Sequence, residues 1–332
     1  MNASTTSSSP PQRAVARARM RVVFLIVPTG VPQKSLAGAS SYIFMLILLC
    51  FAPLVDWDRL FEEQFMSDRV RVEIENAVAT VMLNRADKHN AIDMAMFEAL
   101  SEVGDSLRDA ASVRAVVLHG AGENFCAGID VSVFGGEGIG VVGHKLMDPR
   151  KRSPANLFQS AAWVWQEIPV PVIAALHGVV FGGGLQIALG ADIRYASPDV
   201  RMSIMEIKWG LIPDMAISST ARHILPGDKF KELAFTGRIV NGHEAEEMGL
   251  VTSLTDDPLE AAQLLAREIA GRSPDAIRSI KRLVNDSWQA DAPASMRREA
   301  ELQLAIMGGA NQAEAVAANR EQRVPDFRDP ER

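Results

Sequence analysis

The twelve residues FGGGLQIALGAD, from Phe181 to Asp192, place three consecutive glycines directly before a run with helical character. The residues just before them, VIAAL at 172–176, are typical of a short buried strand. A strand, a glycine cluster and a helix starting near Gly183 would leave unpaired N–H groups at the positively polarised end of that helix. Because glycine has no side chain, the oxygen of a ligand can approach these N–H groups closely. The stretch therefore predicts a binding turn for an anion or a polarised carbonyl.

The familiar nucleotide-binding and nucleophile motifs do not fit this turn. Ile187 stands where a GxGxxG motif needs its last glycine, and no Gly-Lys-Ser/Thr follows as a Walker loop requires. No GxSxG nucleophile motif occurs in the chain. A tight turn that merely packs a helix on a strand is the alternative reading. Against it stands a second small-residue loop, FCAGID at 125–130, which also follows a buried strand and could supply another N–H to the same oxygen.

From Met66 onward, the pattern of residues predicts one α/β domain with a helical C-terminal part. Glycines are dense between 135 and 143, which predicts a mobile loop there because ordering glycine is entropically unfavourable. The remainder from about 228 has mostly helical periodicity. The other predicted elements are a hairpin of 71–74 with 78–83, helices over 90–108 and 154–167, and strands over 115–118 and 193–196.

Residues 1–65 differ from the rest of the chain. They begin with Ser, Thr and Arg, and they contain an apolar run at 42–55, which is shorter than the roughly 20 residues that a membrane helix needs. We expect a disordered N-terminal extension, or a segment translated from a start upstream of the native one. A membrane or targeting role for this segment is the alternative.

Composition excludes several classes of function. The net charge of −7 argues against a nucleic-acid-binding protein, which would be basic over its binding face. The two cysteines cannot form a disulfide framework and fit a reducing compartment, so we expect a cytoplasmic protein whose folded domain is not in a membrane. The six histidines show no metal-binding spacing, and no metal is expected.

Six segments, in this order and spacing, resemble the enoyl-CoA hydratase/isomerase, or crotonase, superfamily. The resemblance implies a spiral fold of repeated ββα units over 66–332, and an acyl-CoA substrate whose coenzyme A is not a separate cofactor. It also implies a homotrimer or homohexamer, with 257–332 as the helical trimerisation region. The segments are VMLNRADKHNAI (81–92), NFCAGID (124–130), IPVPVIAALHGVVFGGGLQIALGADIRYA (168–196), SIMEIKWGLIPD (203–214), RSPDAIRSIKRLV (272–284) and NREQRVPDFRD (319–329).

The same resemblance assigns roles to individual residues. The N–H groups of Ala127 and Gly183 would form an oxyanion hole for the thioester oxygen, where negative charge develops when a neighbouring carbon loses a proton. A basic run at 148–153 could meet the phosphates of coenzyme A, or could be an ordinary solvated loop. The residues that the resemblance places along coenzyme A are Lys88, Gly128, Ile129 and Asp130.

Three side chains decide which reaction the resemblance implies. Hydratases of the superfamily have two glutamates, but the first position here is Gln186, which has no titratable proton and can only orient a water or the substrate. The second position is Glu206, and a single acid there is similar to the arrangement of the 3-enoyl-CoA isomerases. Asp214 is similar to a second acid of the dienoyl-CoA isomerases, unless it caps a helix around 215–224.

These residues favour double-bond isomerisation with Glu206 as the proton shuttle. The alternatives are hydration of a 2-enoyl-CoA, with Gln186 orienting the water, and acyl-CoA binding without catalysis.

Overall fold

A computed structural model of the protein describes residues 67–134 and 147–330. The predicted N-terminal extension with its apolar run, and the predicted glycine-rich loop over 135–143, lie outside these residues. The start of the folded domain at Met66 therefore stays a prediction. No helix of the described part of the chain is both long enough and apolar enough to cross a bilayer.

The chain begins with the predicted hairpin, made of strands β1 (Val70–Glu75) and β2 (Val78–Leu83), which pair antiparallel. Its two turn residues, Asn76 and Ala77, both have positive φ angles of 50° and 63°. A two-residue turn of this kind matches the right-handed twist of the strands it joins. The hairpin starts the sheet on which the rest of the domain is built.

Two sheets share the remaining strands, and the chain alternates between them. The six-stranded sheet has the order β1-β2-β3-β4-β6-β9 and is parallel from β2 onward, while the three-stranded sheet has the order β5-β7-β8. Each passage from β4 to β5 or from β6 to β7 moves the chain from the large sheet to the small one. These strands are β3 (Ala115–Gly120), β4 (Val172–Leu176), β5 (Val179–Phe181), β6 (Ile193–Ala196), β7 (Arg201–Ser203), β8 (Val240–Asn241) and β9 (Ser253–Leu254).

The helices of the described residues cover the sheets and form the C-terminal part. Helix α1 begins at Met94, one turn later than predicted, because the Asp93 side chain accepts a hydrogen bond from the Met96 N–H at 2.9 Å and caps it there. The helices are α1 (Met94–Asp109), α2 (Leu157–Glu167), α3 (Gly183–Gly190), α4 (Ile217–Thr220), α5 (Gly227–Thr236), α6 (Gly242–Met248), α7 (Pro258–Ala270), α8 (Pro274–Ser287), α9 (Ala292–Ile306) and α10 (Ala310–Glu321).

Helix α3 is buried at every residue and fixed at its far end by an ion pair. Asp192 follows the helix, and its Oδ2 lies 2.7 Å from Nζ of Lys281 on α8. The same ammonium donates to the carbonyl oxygens of Trp165 at 2.8 Å and Val170 at 3.0 Å, so all three of its protons have acceptors. Burial lowers the pKa of Lys281, whereas the carboxylate of Asp192 opposes this change and stabilises the charged ammonium. The helix that starts at the glycine turn is thereby tied to the C-terminal part.

Candidate active site

The glycine turn forms the start of α3 and leaves its first N–H groups unbonded. Gly182 stands at the N-cap with a φ of 50° and offers no side chain to cap the helix. Its own N–H donates to Ser203 O at 2.9 Å, and its carbonyl accepts from Gln186 N at 3.0 Å. The N–H of Gly183 has no acceptor among the described residues. It is available to a ligand, as the sequence predicted.

The second loop, 125–130, lies beside this turn. A methyl group added at Gly184 would lie 2.6 Å from the carbonyl oxygen of Cys126, and one added at Gly183 would lie 3.3 Å from Cγ1 of Ile129. Cys126 itself pairs with β5, since the Phe181 N–H donates to its carbonyl at 3.0 Å. The two loops therefore pack so closely that there is no room for a side chain at Gly184 and little at Gly183.

The structure corrects the expected second donor of the oxyanion hole. The N–H of Ala127 donates to the carbonyl of His89 at 2.9 Å and is not available to a ligand. Ile92 bonds the residues on either side of Ile129, because its N–H donates to Gly128 O and its carbonyl accepts from Asp130 N, both at 2.9 Å. The N–H of Ile129 must then point away from Ile92, and no acceptor meets it within the described ranges.

Ile129 is thus the residue of the loop whose amide is free, and the sequence assigned only coenzyme A contact to it. The turn that re-aims the chain is at Gly128, with a φ of +97°, a conformation that favours glycine. The feature of the sequence that could have indicated this free amide is Gly128. The N–H that follows a glycine with positive φ points in a different direction from the N–H of an extended chain. The distant pairing of Ala127 with His89 left no mark in the local pattern.

A cavity of about 770 Å³ opens in front of both free amides. Its lining includes Lys88 and His89, both exposed, and the acids Glu206 and Asp214. The remaining walls are largely apolar. They include Phe97, Val131, Phe158, Met205, Trp209 and Leu211.

Glu206 is the buried acid of this cavity. It begins a short 3-10 turn after β7, and its residue surface is only 8% exposed. Its Oε1 accepts a hydrogen bond from Gln186 Nε2 at 2.6 Å, while Oε2 is buried and has no partner among the described residues. Desolvation raises the pKa of Glu206, although the bonds from its own N–H and from Gln186 oppose the rise. A carboxyl with one bonded and one unbonded oxygen can carry a proton at the second.

Gln186 is buried and hydrogen-bonded to protein partners at both its oxygen and its nitrogen. The side chain is 1% exposed, and Oε1 accepts from the Met215 N–H at 2.8 Å while Nε2 donates to Glu206. The resemblance predicted that this amide orients a water or the substrate. Its contacts among the described residues are with the acid and with the segment that follows Asp214.

Asp214 lines the same cavity and does not cap a helix. Helix α4 begins only at Ile217, with Ala216 at its N-cap in a left-handed conformation, so the N-cap alternative is wrong. The Asp214 residue is exposed to the cleft, and partial desolvation by the cleft walls raises its pKa. Its charge also raises the pKa of Glu206.

Of the other side chains predicted to contact coenzyme A, that of Lys88 is exposed, whereas that of Asp130 is bonded to the protein. Lys88 is exposed on the turn Ala86–Lys88 and lines the cavity. The Asp130 carboxylate instead accepts from Ser132 N at 3.0 Å and pairs with Arg85 Nη1 at 2.8 Å. These bonds, those of Ser132 first, lower the pKa of Asp130 to about 2. Asp130 is therefore an anchor of its loop.

The basic run at 148–153 is directed at α1. Arg150 bonds Asp105 and also donates to Ser160 Oγ at 2.7 Å, and Arg152 forms a two-bond pair with Asp109 at 2.6 and 2.9 Å. Both guanidinium groups already have carboxylate partners. These contacts favour the solvated-loop reading over a role at phosphates.

Comparison with known proteins agrees with this geometry. The family model of the enoyl-CoA hydratase/isomerases matches residues 73–330, which is most of the chain. This protein belongs to the enoyl-CoA hydratase/isomerase family. The predicted fold class, the crotonase spiral with a helical C-terminal part, is likewise confirmed.

Relatives within the family have different names. A Bacillus subtilis protein, YngF, named as an enoyl-CoA hydratase/isomerase, is 32% identical over 238 residues, covering 70% of this chain and 88% of its own. The peroxisomal Delta(3,5)-Delta(2,4)-dienoyl-CoA isomerase of Arabidopsis thaliana is 29% identical over 267 residues, covering 78% and 95%. The crystal structure of an enoyl-CoA hydratase from Bacillus anthracis superposes with a TM-score of 0.72 at 26% identity, covering 79% of this chain and all of that one.

Proposed function

We propose that this enoyl-CoA hydratase/isomerase family member moves a double bond in an acyl-CoA, from the 3-enoyl to the 2-enoyl position or in a dienoyl substrate. The observation that carries the proposal is the pair of side chains at the cavity. Glu206 has one unbonded oxygen, and the place of a second acid on α3 is taken by Gln186, an amide without a titratable proton.

The proposed reaction uses one proton carrier and two amide donors. Oε2 of Glu206 removes a proton from carbon 2 of a 3-enoyl-CoA, and the electrons of that C–H bond form a dienolate. Negative charge develops on the thioester oxygen, which the N–H groups of Ile129 and Gly183 bond, with the dipole of α3 acting in the same direction. The protonated Glu206 then returns the proton to carbon 4, giving the 2-enoyl product. No water is consumed.

The raised pKa of Glu206 suits this task. A group that both accepts and returns a proton works best when its pKa is close to the working pH. Burial in an apolar cavity supplies that change, and the nearby charge of Asp214 adds to it. With a dienoyl substrate, Asp214, which lines the same cavity, would serve as a second proton carrier.

The test assays purified protein separately on a 3-enoyl-CoA and on a 2-enoyl-CoA with water. We expect isomerisation in the wild type, and a loss of ~10²–10⁴-fold in Glu206→Gln, the usual contribution of general acid–base catalysis. The binding of the CoA ester should be largely kept. The matched control is Glu247→Gln, which makes the same change at an exposed residue of α6 and should leave the rate unchanged.

Two results would contradict the proposal. Fast hydration without isomerisation would make the protein a hydratase, with water reaching Glu206 in spite of the committed amide. Binding of acyl-CoA without exchange of the carbon-2 proton for deuterium in heavy water would favour a binding protein without catalysis.

A further inference from the structure

One amide in the candidate site joins the two segments that carry its acids. Gln186 donates from Nε2 to Oε1 of Glu206 at 2.6 Å and accepts at Oε1 from the Met215 N–H at 2.8 Å. Met215 directly follows Asp214 in the chain, and it is fully buried. A single neutral side chain therefore holds the segments of both acids to helix α3.

The backbone partner fixes which way the amide faces. The Met215 N–H can only donate, so the oxygen of Gln186 must face it and the NH₂ group must face Glu206. Turning the amide over would set two donors against each other, and a buried donor without an acceptor is costly. At 1% exposure, water cannot easily replace either partner of Gln186. Glu206 therefore always receives a donor at Oε1.

We propose that Gln186 is a positioning residue that fixes Oε1 of Glu206 and thereby reserves Oε2 as the atom that carries the proton. The assignment rests on the proposed function in so far as it concerns turnover. A carboxylate at position 186 would also accept from Met215, but when ionised it would repel Glu206. The amide gives this site the orientation of a hydrogen-bonded acid without a second charge.

The decisive variant is Gln186→Met, which keeps a long unbranched side chain and removes both hydrogen bonds. Its first readout is the titration of the Glu206 carboxyl carbon by NMR on protein with labelled glutamate. The signal is assigned by its loss in Glu206→Gln. Because the Gln186 donor stabilises the charged carboxylate, we expect the pKa of Glu206 to rise in Gln186→Met. Asp214 is the other group whose charge acts on Glu206, and it remains in both proteins.

The second readout is turnover, measured on whichever CoA ester the wild type converts. We expect kcat to fall ~10-fold, the change that loss of one hydrogen bond to a charged group produces. KM should change little, and the acid limb of the kcat/KM profile should move to higher pH together with the pKa. A purely structural role would lower the melting temperature without moving that limb.

Gln186→Glu provides the conservative replacement and guards against misfolding of the methionine variant. When it carries a proton, this glutamic acid can donate to Glu206 and accept from Met215, so it should restore part of the activity of Gln186→Met. The restored activity should be lost at higher pH, where the two carboxyls can no longer share a proton. The NMR titration of the two coupled carboxyls in Gln186→Glu should also differ from the titration of Glu206 in the wild type.

The outcomes separate this inference from the proposed function. If Glu206 titrates at the same pH in the wild type, in Gln186→Met and in Gln186→Glu, with unchanged kcat, Gln186 does not position it and the inference is wrong. If the pKa of Glu206 moves as expected but the wild type hydrates and does not isomerise, the positioning role stands and the proposed reaction fails.

Discussion

The two loops that offer free amides to the cavity reach the same result by different means. In the loop at 181–186, the amide of Gly183 is free because a helix begins there and its first N–H groups have no partner within the helix. In the loop at 125–130, no helix follows directly, and the amide of Ile129 is free because Gly128 turns the chain while Ile92 bonds both neighbours. The N–H of Gly183 is free because of secondary structure, the start of a helix. The N–H of Ile129 is free because of tertiary structure, the hydrogen bonds of its neighbours to Ile92.

The acids beside the loops differ in the same way. Asp130 of the 125–130 loop is ionised and bonded, and its pKa is lowered to about 2, mainly by Ser132. Glu206 lies beside the 181–186 loop, its Oε1 lying 3.3 Å from the position that a methyl group on Gly182 would occupy, and burial raises its pKa. The first acid holds its loop in place, whereas the second is kept ready to exchange a proton.

The largest expected effect concerns which amide of the 125–130 loop is used. Replacing the peptide N–H of Ile129 by an ester oxygen should lower kcat by ~10²–10³-fold, the usual effect of removing one oxyanion donor. The same replacement at Ala127 removes its bond to His89 and weakens the Cys126 carbonyl as an acceptor, but it removes no free amide and should leave kcat within a few-fold of the wild type. Equal rates in the two ester variants, or a larger loss at Ala127, would overturn the assignment of Ile129.

The next effect concerns the contact between the loops. Gly184→Ala would place a methyl group 2.6 Å from the Cys126 carbonyl oxygen, so the loops must separate. We expect the free energy of unfolding to fall by roughly 1–3 kcal/mol, the cost of overpacking a filled interior, measured by guanidinium denaturation. Gly227→Ala is the matched control, since nothing lies within 4 Å of its added methyl group. Similar stability of the two variants would show that the loops are not in close contact.

The smallest expected effect is on the stability of the fold, which ionisation of Asp130 should increase and ionisation of Glu206 should decrease. Because the folded-state pKa of Asp130 is lowered, its ionised form stabilises the fold above its ordinary pKa of 3.8, and this stability is lost as the pH falls through about 2. Because the pKa of Glu206 is raised above 4.5, its ionisation destabilises the fold as the pH rises from 4.5 through the folded-state pKa.

Asp130→Asn should therefore lower the melting temperature at pH 7 by a few degrees, and Glu206→Gln should raise it by a few degrees. Calorimetry as a function of pH checks both changes. Each difference should shrink as the wild-type acid becomes protonated on acidification, at higher pH for Glu206 than for Asp130. Shifts of the same sign at pH 7 would contradict the contrast between the two acids.

Local patterns predicted the parts of this fold that local chemistry determines. The hairpin, strand β4 and the start of α3 at Gly183 follow from alternation and glycine placement, and the structure confirms them. Helix α1 begins later than its apolar spacing suggested, since the cap at Asp93 overrides the periodicity before it.

The errors at the candidate site share a different cause. The acceptor of the Ala127 N–H is His89, and the partner of the Gln186 oxygen is the Met215 N–H, each far away in the chain. A resemblance can indicate which side chains gather at a site, but it does not say which of their hydrogen bonds are already made. For that reason the resemblance gave Ala127 in place of Ile129, and it gave no indication of the bonds between Gln186, Glu206 and Met215.

The ion pair behind α3 has a consequence for how the protein is made. Asp192 and the glycine turn emerge from the ribosome long before Lys281 is synthesised, and until then the carboxylate has no ammonium to bond. A nascent chain that ends before Lys281 lacks this tie between the end of α3 and α8. Competence for catalysis should therefore appear late in translation, when the C-terminal helices have left the exit tunnel.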